Sequence, residues 1–189
     1  AMRNHQNLAV AWRMLYDRAP EKNAPLLEKS ISEWCATLSL AKELADTVYV
    51  RYTQGRLLDC LALARPLTDP LVVETRAAND KEVPWKGPVN EFSLADAVAG
   101  ETSCRLVEGD LAGARVLVEM ALPYFEQSNY LTDFQRCAEL YIVQAWLYQQ
   151  QNHPAEAVKV LEKADSKMVL AREFLDPDAF SRGTGDRLL

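Results

Sequence analysis

The stretch from Ala138 to Ala164, AELYIVQAWLYQQQNHPAEAVKVLEKA, decides the fold. Before the break at Gln151-Asn152-His153-Pro154, Tyr141, Ala145 and Tyr148 recur at the three-to-four-residue spacing of one helix face. After it, Ala157 and Ala164 form a second stripe, of small residues. Asn tolerates the left-handed conformation that closes a last helical turn, so Asn152 reads as the corner between two helices. Short corners fold consecutive helices back as antiparallel hairpins, and small residues on the second helix let the pair approach closely.

The same pattern occurs earlier in the chain. Gly109-Asp110-Leu111-Ala112-Gly113-Ala114-Arg115 matches Asn152-His153-Pro154-Ala155-Glu156-Ala157-Val158 at a separation of 43 residues, and Ala114 and Ala121 correspond to Ala157 and Ala164. A fainter copy surrounds Gln54-Gly55-Arg56, which reads as a third turn. Around these corners, segments rich in Ala, Leu, Glu, Arg and Gln keep the helical period, while strict alternation is rare. The expected fold is all-α, with antiparallel helical hairpins stacked as a superhelix. Helices are expected near residues 5–18, 23–37, 39–54, 56–66, 70–79, 91–108, 111–128, 131–151 and 154–174. The longest break, Asn79 to Asn90, holds Pro84, Trp85, Gly87 and Pro88. The expected organisation is therefore hairpins over 1–80, a loop over 81–90, clearer repeats over 91–175 and a tail over 176–189.

The hairpin at Ala138–Ala164 resembles a tetratricopeptide repeat: Tyr141, Ala145, Tyr148, Asn152, Ala157 and Ala164 fall on that family's packing positions, with Asn152 where glycine is usual. The copy at Val98–Ala121 keeps Gly109 and both alanines but carries Thr102 and Arg105 at the small and aromatic places. A spacing of 43 residues exceeds the usual repeat of about 34. The longer, degenerate form resembles the helical-repeat region of the large ATP-binding regulators of the LuxR family, the MalT type. The resemblance runs from Glu101 to Leu189 and includes Arg172, Phe174, Leu175, Asp176, Gly183, Leu188 and Leu189; Asp176-Pro177-Asp178 departs from the family pattern. It implies a sensor segment lying between an ATPase module and a DNA-binding domain, with the 176–189 tail leading to the latter. Neither module is expected in this chain, which has no GxxxxGK[ST] phosphate loop.

Charge and composition narrow the function. The formal net charge is -6, and Lys and Arg are dispersed, so this segment is not expected to touch nucleic acid or an anionic membrane. No apolar run reaches a membrane span. Cys35, Cys60, Cys104 and Cys137 are widely spaced within apolar helical patterns, reading as reduced core residues of a cytoplasmic protein. His5 and His153 lack metal-ligand spacing, no nucleophile elbow occurs, and no cofactor is expected in this chain, so the reading is of a protein that is not an enzyme.

Binding is the expected activity. In a stack of helical hairpins the first helix of each repeat lines a concave groove. Carrying over the tetratricopeptide groove positions points to Glu139, Ile142, Trp146, Gln149 and Gln150, and on the preceding repeat to Ser103 beside Ala99 and Leu106. Trp146 reads equally as core. Trp85, in the Pro-Gly loop, is the further candidate anchor. The partner is expected to be a small-molecule inducer or a protein or peptide, with self-association left open. The alternative is a stand-alone tetratricopeptide adaptor that binds a peptide or assembles a complex.

Overall fold

The computed structural model describes residues 1–18, 24–82 and 89–173. The described residues form eight helices and no strand: α1 (Met2–Arg18), α2 (Ala24–Glu43), α3 (Thr47–Ala64), α4 (Pro70–Glu82), α5 (Phe92–Glu108), α6 (Leu111–Gln127), α7 (Leu131–Gln150) and α8 (Pro154–Glu173). The chain is all-α, and it divides into two compact units, Ala1–Ala121 and Leu122–Leu189, with the division falling inside α6. Both sides of the 81–90 segment belong to the first unit.

One expected corner is corrected. Gln54-Gly55-Arg56 is not a turn, because α3 runs unbroken through it. Gly55 serves packing instead: a Cβ there would sit 2.3 Å from the Asp96 carbonyl oxygen, and one on Gly100 would sit 2.3 Å from the Gly55 carbonyl oxygen. The two glycines thus let the backbones of α3 and α5 touch. The true corner lies at Leu44-Ala45-Asp46. There Ala45 takes a positive φ of 53°, the Asp46 amide bonds the Ala41 carbonyl at 3.0 Å, and the Asp46 carboxylate caps α3 by accepting from the Tyr49 amide at 3.0 Å.

In the first unit α1 packs on α2, α2 on α3, and α3 on both α4 and α5. Leu27, Ile31 and Trp34 of α2 meet Tyr52, Leu57, Leu58 and Leu61 of α3, with Ala9 and Val72 in the same cluster. Trp34 and Tyr52 meet edge to face at 5.8 Å between ring centroids. In the second unit α7 and α8 form one hairpin. Its corner is Asn152 at φ 62°, and the earlier corner is Gly109 at φ 77°, both left-handed as their residue types foretold. The paired alanines Ala114, Ala121, Ala157 and Ala164 are all buried.

Candidate functional site

In α7, residues one turn apart share a face, and most faces of this helix are covered. Cys137, Ala138, Leu140, Tyr141, Ala145 and Leu147 are buried. Three contacts in the second unit hold the covered side. The Tyr141 hydroxyl donates to Glu126, the Lys163 ammonium lies 5.5 Å from the Tyr141 ring centroid, and the Lys167 ammonium lies 5.1 Å from that of Phe134. Burial, and then the hydrogen bond to the Glu126 carboxylate, raise the Tyr141 hydroxyl above the usual tyrosine pKa, so it stays a neutral donor.

The most exposed described residues of α7 fall on one stripe, and five of the expected residues lie on it. Ile142 is 50% and Trp146 40% exposed, Gln149 and Gln150 are exposed at the carboxyl end, and Glu139 is half-buried at the other. Trp146 is therefore not a core residue. Glu139 is oriented by Gln135 Nε2 at 2.9 Å and Arg136 Nη1 at 3.0 Å, which leaves it an acceptor with fixed geometry. The stripe can stack a flat or apolar group on the indole, exchange hydrogen bonds through two amides, and receive one donor at the carboxylate.

Ser103 belongs to the first unit, where its hydroxyl donates to Asp59, and its neighbour Ala99 is buried. Trp85 lies outside the described residues, as do Phe174 to Leu189. Among the described residues no cluster of His, Cys, Asp or Glu is arranged to hold a metal ion, and no helix is long and apolar enough to cross a membrane.

The sequence reading missed a charged seam in the first unit. Asp59 accepts from Arg13 Nη1 as well as from Ser103, and Arg13 also holds Asp17 through Nε at 3.0 Å. One turn away, Arg56 Nε pairs with Asp96 Oδ1 at 2.6 Å, with side chains 7% and 0% exposed. Ser30 and Cys60 complete the polar contacts around Arg13, and burial pushes the Cys60 thiol up. The signal was present locally: Arg56 and Asp59 flank Leu57 and Leu58 and precede Cys60 and Leu61, Asp96 lies between Ala95 and Ala97, and charge inside so apolar a stretch calls for a buried partner. A second network ties α4 to α5, where Arg76 contacts Glu101 and Glu108, and Arg105 contacts Glu101 and Asp110.

Among known proteins, no family model, no curated protein and no solved structure matches the chain.

Proposed function

We propose that this chain is a non-catalytic, helical-repeat binding module that takes a small polar inducer or an extended peptide on the open stripe of α7, and that it serves as the sensor segment of a MalT-type regulator of the LuxR family. The observation that carries the binding half is Trp146, a large indole left facing solvent between Ile142 and Gln149 while Cys137, Ala138, Tyr141, Ala145 and Leu147 of the same helix are buried. An exposed indole flanked by amides and an oriented carboxylate supplies both contact area and directional hydrogen bonds, the combination that recognition sites use. The regulatory half rests on the repeat pattern and on the left-handed corners at Gly109 and Asn152.

A thermal-shift screen against sugars, amino acids, small organic metabolites and short peptides tests the site, since a compound that binds only the folded state raises the melting point. A binder found this way is expected to lose about tenfold in affinity in Ile142→Ala and in Gln149→Ala, with the unliganded melting point unchanged. Undiminished binding in both variants would move the site off α7.

A further inference from the structure

We propose that α6 is a hinge with Pro123 as its pivot, and that the two compact units change angle by flexing there. The division between the units falls after Ala121, and Pro123 lies inside the helix two residues further on. Proline has no amide to give the Glu119 carbonyl four residues back, and its ring crowds that carbonyl, so the helical ladder is interrupted at this step. Glu119 and Pro123 are both exposed. Water therefore reaches the released carbonyl whether the helix is straighter or more bent, and neither state strands a buried polar group.

The hairpin pattern does not itself require the proline. At the 43-residue separation of the repeat, Glu119 corresponds to Glu162 and Pro123 to Ser166. The counterpart helix α8 lies wholly in the second unit, and there the serine keeps its amide while its hydroxyl donates to the Glu162 carbonyl at 2.9 Å. The interruption thus falls in the helix that both units share and is missing from the counterpart that belongs to one unit alone.

Both ends of α6 are held, each within its own unit. At the amino end the Asp110 carboxylate accepts from the Gly113 amide at 2.9 Å and from Arg105 Nη1 at 3.1 Å, and Ala114, Leu117, Val118 and Ala121 are buried. Past the proline, Phe125 is buried, Tyr141 donates to the Glu126 carboxylate, and Lys167 Nζ donates to the Glu126 carbonyl at 3.3 Å. A helix clamped at its two ends and weakened between them bends at the weak step. Tyr141 directly precedes Ile142 of the open α7 stripe, so a compound bound there, a role that rests on the reading above, acts on the arm that Tyr141 ties to α6.

Distances between paired spin labels on the full, unliganded chain test the hinge. Ser39→Cys in the first unit and Glu156→Cys in the second, both at exposed positions, carry the labels, and Cys35→Ser removes the half-buried native thiol. The 20 residues of α7 span about 30 Å, so a bend of about 20° at the pivot carries the far end of that helix by about 10 Å. The distance distribution between the units is expected to spread over about 10 Å, against a narrow one for Ser39→Cys paired with Glu74→Cys inside the first unit. Pro123→Ala restores the missing amide and favours the helix, and it should narrow the first distribution by at least about half while leaving the second alone. A narrow distribution between the units in the wild-type chain, or a width that Pro123→Ala does not reduce, overturns the proposal. Because no compound is present, loss of the α7 binding reading would leave this result standing, and loss of the hinge would leave that site standing.

Discussion

Gly100→Ala tests how α3 and α5 are joined, because two opposing effects of known size meet there. In an exposed helix, alanine would stabilise relative to glycine by about 1 kcal/mol. At Gly100, however, the added Cβ would lie 2.3 Å from the Gly55 carbonyl oxygen and 3.0 Å from the Gly55 Cα, whereas ordinary contact begins near 3.4 Å. The obstacle is backbone, so no side chain can swing aside, and the helices must part by about 1 Å. A gap of that order forfeits about a quarter to a half of the dispersion energy of each opened contact. It also stretches the buried Arg56–Asp96 pair one turn away. Overpacking of this kind costs about 1–3 kcal/mol, and a backbone clash beside a buried ion pair belongs at or above the upper end. Subtracting the propensity gain leaves a net loss of about 2 kcal/mol. Urea unfolding followed by circular dichroism measures it. Gly109→Ala is the control: nothing lies within 4 Å of the new Cβ, and its cost of about 1 kcal/mol comes from the positive φ alone. Wild-type or higher stability in Gly100→Ala would refute the glycine crossing.

Other consequences can be measured on the same protein. Asp59→Ala should cost about 2–4 kcal/mol, because it removes the acceptor for Arg13 and Ser103 in a site where the Asp59 side chain is 8% exposed; a double-mutant cycle with Arg13→Ala should return a coupling above about 1 kcal/mol. The hydrogen bond from Arg76 lowers the Glu108 pKa below that of the unfolded chain, so the folded state favours the charged carboxylate. Its contribution is present above the unfolded pKa and is lost as pH falls through the folded one, and Glu108→Gln should flatten part of the stability decline below about pH 5. For the cysteines, burial holds the Cys104 thiol up to about 12 and the Cys137 thiol up to about 11, and Cys60 is fully enclosed. A disulfide reagent at pH 8 should therefore label the half-buried Cys35 first in the native protein, and labelling of Cys104 at an equal rate would contradict the burial described.

The helical fold was legible in the sequence wherever local chemistry agreed with the tertiary structure. Gly109 and Asn152 take the left-handed corners their residue types favour, and the alanine stripes are buried. The reading failed where tertiary packing reassigned a residue's usual meaning. Gly55 looks like a helix stop, yet it sits inside α3 because α5 needs the space a Cβ would fill. Conversely, the real corner is closed by Ala45, a residue with no left-handed preference, and held by the Asp46 cap. On α7 the resemblance to tetratricopeptide repeats pointed to Glu139, Ile142, Trp146, Gln149 and Gln150 as groove positions, but a resemblance in pattern cannot tell an open face from a covered one. Ser103 was assigned by offset from a neighbouring repeat; its hydroxyl is engaged by Asp59, 44 residues away in sequence, a pairing no local pattern encodes.

The central claim is that Trp146 faces solvent in order to bind, and Trp146→Ala tests it most directly. Thermal unfolding of wild type and variant, each alone and with a compound that stabilises the wild type, separates the two roles an indole can have. The account predicts an unliganded melting point close to wild type and a ligand-induced rise that disappears in the variant. A fall in unliganded stability of about 3–5 kcal/mol, the cost of deleting a buried large aromatic, or a ligand-induced rise that survives the substitution, would contradict it.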